Sequence, residues 1–365
     1  MLNMKMPCGE RMVRALTGGD IDRVPFGVGL GWHPWGETSV RWQCENGNEN
    51  LEVAKEFGYD GSFAIPDVEF GMLPKFEPVV LEETAEFIVR RDENGIVRRE
   101  LRNNSGMPEF LSNPVGTRED WERLKEERFR IGDRRRLRQN WDDFRAGIKV
   151  SGEAVQVGDF PWGVFGTPRD LMGTEEYLIS FCADPELLKD IMNHLTDLWI
   201  WLYEEVAKEV QIDHIHIWED MAGRHGSLIS PGMVKEFMIP CYDRIRQFAE
   251  AHDVRMISVD TDGDCSELVP IMREHGVNVF FPFEVQAGSD VRAYRKKYPD
   301  LGIWGGLDKR TLALTRKEID AELEKAEWMI GSGHYVPMYD HLIPPDVPWE
   351  NFCYAVKRLK DICNK

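Results

Sequence analysis

Short apolar runs followed by polar or turn residues recur along this chain, and they constrain its fold more than any other feature. They are "PFGVGL" (25–30), "GSFAI" (61–65), "AVQVG" (154–158), "DHIHIW" (213–218), "RMISV" (255–259), "VNVFF" (277–281), "GIWGG" (302–306) and "HYVPM" (334–338). Runs this short, continuous and rich in β-branched residues suit parallel strands buried on both faces. Segments with apolar residues at helical spacing separate most of them. The segment 185–210 opens on a proline, as helices often do. The segments 231–252, 266–275, 289–298, 315–331 and 347–363 continue the alternation. Eight strands alternating with helices predict a (β/α)8 TIM barrel, of α/β class, rather than an open sheet.

One stretch breaks the alternation. Residues 68–150 are too long for a single βα unit. Within them "AEFIVRRDENGIVRREL" (85–101) alternates across Asn94-Gly95, a hairpin signal. The charged segment around "NWDDFRAG" reads as helical. We read 68–150 as an insertion after strand two, a hairpin plus helices folded over the barrel mouth. With no internal repeat and no low-complexity linker, 1–365 reads as a single barrel domain.

Composition narrows the function. A formal net charge of −19 disfavours nucleic acid and anionic membrane, which attract basic patches. No stretch approaches the roughly 18 apolar residues of a membrane span, and the N-terminus lacks the apolar segment of a signal peptide. The seven cysteines are scattered singly, so neither a disulfide framework nor a thiolate zinc knuckle is indicated. The expected compartment is the reducing cytoplasm.

In a (β/α)8 barrel the active site lies at the C-terminal strand ends. Trp32, His33 and Trp35 follow strand one, Asp67 strand two, and Asp159, Phe160 and Trp162 strand three. Glu219 and Asp220 follow strand four, and Asp260, Asp262 and Asp264 strand five. Glu284 ends strand six, Asp308 and Lys309 follow strand seven, and Asp340 and His341 end strand eight. Carboxylates converging on one mouth need either a cation or protonation with raised pKa values. Oxygen and imidazole donors suit hard or borderline divalent ions. A catalytic zinc needs three protein ligands and an open position, which Glu219, Asp260, Asp262 and His341 can supply.

Each residue also has a structural reading. Asp264 precedes a helical segment and reads as an N-cap. Asp262 stands beside Gly263 and suits a turn. Asp220 and Asp340 can pair with arginines such as Arg224. His214 and His216 sit inside a strand and read as packed, hydrogen-bonded interior residues. Trp162 and Trp304 suit a core.

The chain resembles the uroporphyrinogen decarboxylase superfamily. The resemblance rests on "DRVPF" (22–26), "GYDGSFAIPD" (58–67), "GTPRDLMG" (166–173), the segment from "EDMAGRHG" (219–226), "DTDGDCSELVPIMREHGVNVFFPFE" (260–284), "GGLDKR" (305–310) and "DHLIPPDVPWENF" (340–352), in order across nearly the whole chain. It implies the barrel fold. Where the decarboxylases carry an arginine-bearing motif after strand one, this chain has "GLGWHPWGE" (29–37), so a polyanionic porphyrinogen would meet a negative mouth. Asp67 does match the position of their central aspartate.

The other branch of the superfamily is corrinoid-dependent. The methylcobamide:coenzyme M methyltransferases hold zinc through a His-x-Cys pair after strand five and a Cys after strand eight. Those places here are Asp260, Asp262 and His341, ligand-capable but without thiolates. Harder donors leave zinc more electrophilic, suited to an ether oxygen. The resemblance therefore implies the first methyltransferase of an O-demethylase system. Such an enzyme is zinc-dependent and moves a methyl group from a small donor, here an aryl methyl ether, to the Co(I) corrinoid of a partner protein. His33 or Asp67 would supply a proton, and Trp32, Trp35 and Trp162 would stack on the ring. No DxHxxG stretch occurs, so the corrinoid belongs to another chain. Family members are often homodimers, and nothing in the pattern fixes the oligomeric state. A metal-independent decarboxylase acting through Asp67 on a different acid is the alternative, and a non-catalytic binding protein of the corrinoid pathway the third reading.

Overall fold

The structure, a computed structural model, describes residues 6–102 and 108–365. Among the described residues thirteen strands run in chain order: β1 (Phe63–Ala64), β2 (Val79–Glu83), β3 (Phe87–Arg91), β4 (Val97–Leu101), β5 (Glu109–Ser112), β6 (Ala154–Val157), β7 (His214–Trp218), β8 (Ala222–Gly223), β9 (Gly226–Ser227), β10 (Met256–Thr261), β11 (Val279–Pro282), β12 (Gly302–Trp304) and β13 (Tyr335–Val336). Seven of them form one parallel sheet in the order β1-β6-β7-β10-β11-β12-β13. β7 is buried at all five positions, as a strand covered on both faces must be.

The expected first strand, 25–30, joins no ladder among the described residues. Gly27 and Gly29 take φ of 77° and 101°, which interrupts extended backbone at alternate positions. The segment is held by other bonds. Asp60 N–H donates to the Phe26 carbonyl (2.9 Å), and Trp304 Nε1–H donates to the Val28 carbonyl (3.1 Å). The other expected strands all form.

The sheet curls. In register, Ser258 stands beside His216 and Val279, and Asp260 beside Trp218 and Phe281, so these side chains share one face. On that face Phe63 of edge strand β1 meets His214 of β7 (ring centroids 4.5 Å) and also Trp304 of β12 (6.2 Å). One ring touching strands so far apart in the order requires the sheet to wrap around its inner face.

Helices join the parallel strands as the periodicity predicts: Pro185–Ala207, Ile239–Ala251, Leu268–Glu274, Val291–Lys297, Arg316–Gly331 and Trp349–Cys363. The longest is capped by Asp184, whose carboxylate accepts from Leu187 N–H, with Pro185 in the first turn. A π-turn at Val234–Met238 precedes Pro240, which has no N–H to continue an α ladder.

Between β1 and β6 the chain builds a separate antiparallel sheet, β2-β3-β4-β5, and the helices Arg118–Arg128 and Trp141–Ser151. The Asn94-Gly95 turn lies where the sequence places it. Asp92 Oδ1 accepts from the N–H groups of Asn94 and Ile96, and Gly95 takes φ 81°. Arg136 is fully buried here and donates to the carbonyls of Glu69, Gly71 and Arg128, tying this region to the segment after β1. No helix among the described residues is long and apolar enough to cross a membrane.

Candidate active site

Parallel register brings one chemistry to one end of the sheet. Trp218, Asp260 and Pro282 lie at the ends of β7, β10 and β11, and the acidic segments after them emerge together. Backbone bonds lock two of these ends. The N–H groups of Glu219 (2.8 Å) and Asp220 (3.1 Å) both donate to the Asp260 carbonyl. Asp220 takes φ 47°, a conformation that costs a non-glycine residue. Arg169 holds it there, donating to its carbonyl and lying 3.2 Å from Oδ2, while its guanidinium stacks over Trp218 at 5.0 Å.

Glu219 is not available as a metal ligand, a correction to the expected donor set. Its carboxylate is fully buried. Oε1 accepts from Val164 N–H (3.1 Å) and the Tyr242 hydroxyl (2.5 Å), and Oε2 accepts from the N–H groups of Phe165 (2.6 Å) and Gly166 (3.1 Å). Burial pushes its pKa up to about 7 against the pull of these four donors. The cause is local sequence: in "GVFG" the glycines at 163 and 166 let the backbone close on β7. A Cβ on Gly163 would stand 1.7 Å from the Trp218 carbonyl oxygen. Glu219 therefore pins the turn after β6 to the end of β7.

Asp340 is also fully buried. Oδ2 accepts from Val285 N–H (2.8 Å) and Oδ1 from Lys309 N–H (3.2 Å), with Lys309 Nζ 3.6 Å from Oδ1. It ties the segments after β11, β12 and β13 together. Asp264 does not cap a helix. The helix starts at Leu268, and Asp264 Oδ1 instead accepts from Ser266 N–H in a turn.

Asp260, Asp262 and His341 remain. Burial holds the Asp260 carboxyl well above its usual range, and the carboxylates of Asp262, Asp220 and Asp159 add to this. Asp262 is pushed up to about 7 by burial, with Asp220 and Glu284 contributing and Lys309 opposing. Burial lowers the His341 imidazole. His341 Nε2 lies 4.0 Å from Asp262 Oδ2. The exposed Trp35 indole stacks on His341, centroids 5.7 Å apart and planes 21° from parallel. The donor types fit a divalent cation. As placed, no three His, Cys, Asp or Glu side chains among the described residues form a ready metal group.

The other expected residues scatter. Trp32 is a correction: it is fully enclosed, its Nε1–H donating to the Pro337 carbonyl (3.2 Å) and its ring edge-on to Phe26, Tyr59 and Tyr339. It is core and cannot stack on a ligand. His33 is exposed, its ring edge-on to Tyr59 at 6.3 Å. Asp67 is exposed and paired with Arg138 (2.7 Å). Trp162 is half-buried against Gly71 and lines a cavity of about 30 Å³ with Met72, Pro161 and Asp170. The sequence reading passed over Arg169, whose signal was the "PRD" within "GTPRDLMG". It also gave no site role to Phe160, 65% exposed and edge-on to Trp218 at 4.8 Å.

Comparison with known proteins defines the class. The pattern of the uroporphyrinogen decarboxylase (URO-D) family matches residues 98–362, and the chain belongs to that family. The fold is also similar to that of a methyltransferase from Methanosarcina mazei, with a TM-score of 0.59 and 16% identity over 99% of both chains. No curated protein matches the chain.

Proposed function

We propose that this family member is a zinc-dependent methyltransferase, moving a methyl group from an aryl methyl ether to the Co(I) corrinoid of a partner protein. The observation that carries the reading is the Asp262–His341 pair under the Trp35 indole, in a mouth rich in carboxyls. The methyltransferase similar in fold supports it. We assign Zn2+ to Asp260, Asp262 and His341, leaving Glu219 to its structural bonds. Bound there, zinc would act as a Lewis acid toward the ether oxygen.

The chain's own residues do the rest. Trp35, on the open side of His341, offers an indole face to an aromatic ring, and exposed Phe160 offers a second apolar surface at the strand ends. In the reaction the methyl–oxygen bond breaks, the methyl group goes to cobalt, and the departing phenolate takes a proton. We assign that proton to His33, which is exposed. Asp67 is already engaged by Arg138, at 2.7 Å. That pairing also counts against the metal-independent decarboxylase, which needs Asp67 as its proton relay. The (β/α)8 closure, with 25–30 completing the circle and 68–150 inserted over the mouth as a docking surface for the corrinoid protein, belongs to the same proposal.

The test is direct. Protein loaded with zinc is mixed with cob(I)alamin and 2-methoxyphenol, and methylcobalamin is followed by its absorbance. Its formation, absent in His341→Ala, is the expected result; formation without zinc, or none across a panel of methoxyarenes, defeats the reading.

A further inference from the structure

Beneath Asp260 the inner face carries a buried polar chain. The Ser258 hydroxyl lies 2.7 Å from His214 Nε2 and 2.7 Å from His216 Nδ1. His214 and Ser258 are fully buried, and His216 retains 8% exposure. Around them stand Phe63, at 4.5 Å from His214, and Phe281, at 6.1 Å from His216.

One hydroxyl between two imidazole nitrogens can donate to only one and must accept from the other. Two arrangements satisfy this with neutral rings. In the first, His214 Nε2–H donates to Ser258 and Ser258 donates to His216 Nδ1, which puts the one ring proton of His216 on Nε2. In the second every bond reverses, and His214 must carry its proton on Nδ1. That nitrogen is buried with no partner. A buried N–H without an acceptor is rarer and costs more than an unused lone pair, so the first arrangement wins. Both rings stay neutral: burial holds His214 well below the usual range and His216 at about 4.

We propose that His216 presents a fixed, uncharged Nε2–H to the floor of the mouth, where it hydrogen-bonds an uncharged oxygen of the bound ligand. Three observations place Nε2 there. Nδ1 is taken by Ser258, no protein group among the described residues meets Nε2, and the residual exposure belongs to His216 alone of the three. Asp159, from the segment after β6, acts electrostatically on this ring. The surrounding carboxylates repel an anion, so the acceptor chemistry is an ether or hydroxyl oxygen rather than a carboxylate or phosphate. This deepens the aryl ether reading and rests on it for the ligand.

The experiment is long-range 1H–15N correlation of the imidazoles in histidine-labelled protein, assigned with His216→Gln and Ser258→Ala. His216 is expected as the Nε2–H tautomer from pH 6 to 8. On addition of 2-methoxyphenol, with binding followed independently by tryptophan fluorescence, its Nε2 signal should move. Ser258→Ala should mix the tautomers and weaken probe binding about two- to tenfold, the worth of one hydrogen bond. An Nδ1–H tautomer overturns the proposal, as does probe binding that leaves the His216 signal in place. A correct tautomer with no probe binding at all defeats the aryl ether reading, and the contact with it.

Discussion

His341 Nε2 stands 4.0 Å from Asp262 Oδ2, although the two residues follow β13 and β10, which β11 and β12 separate in the sheet. The pair therefore spans the mouth, and only the curl of the sheet brings it together. It joins a carboxylate to an imidazole where neighbouring carboxylates repel each other, and it is the geometric basis of the cation site assigned above.

The carboxylate of Glu219 is predicted to be structural. Glu219→Ala leaves the N–H groups of Val164, Phe165 and Gly166 and the Tyr242 hydroxyl without an acceptor. The loss should be on the order of 3 kcal/mol or more. Glu219→Gln, which keeps an acceptor oxygen, should lose clearly less and retain metal. Denaturant melts with metal analysis check this; metal lost from a folded Glu219→Gln variant would restore Glu219 as a ligand.

The two indoles flanking His33 should separate cleanly. Trp32→Ala empties a fully buried site and should cost about 3–5 kcal/mol. Trp35→Ala, at a residue 46% exposed, should change stability by no more than about 0.5 kcal/mol. It should instead weaken binding of 2-methoxyphenol. Equal destabilisation by both would contradict the assignment.

That pair also shows where sequence reading reached its limit. Seven of the eight expected strands and the Asn94-Gly95 hairpin were legible because period and turn chemistry are local. Trp32 and Trp35 look alike in "GWHPWG", and only packing against Phe26, Tyr59 and Tyr339 makes the first one core. Glu219 read as a ligand because its position after a strand is a local fact. Its four donors come from two other segments, which no spacing reveals. The strand at 25–30 failed because its glycines were read as part of an apolar run rather than as breaks in it. His216 was legible as an interior residue, but the direction of its free nitrogen depends on Ser258, a neighbour known only from strand register.

The raised carboxyls give a pH dependence of defined sign. Asp262 and Glu219 titrate at about 7 in the folded chain, against about 4 when unfolded. Between those values these two groups bind more protons in the fold than in the unfolded chain, so their contribution to stability is full below about pH 4 and is lost as pH rises through 7. In the proposed site zinc must displace the Asp262 proton, so it should raise the melting temperature more at pH 8 than at pH 5.5. Calorimetry of chelator-treated protein with and without zinc checks this; equal shifts at both values would contradict it.

The central claim is tested most directly by the metal content of protein purified without chelators, measured by mass spectrometry beside an Asp262→Ala/His341→Ala variant. The account predicts near-stoichiometric zinc in the unaltered chain and its loss in the folded variant. No zinc in either, with none taken up on titration, would contradict it.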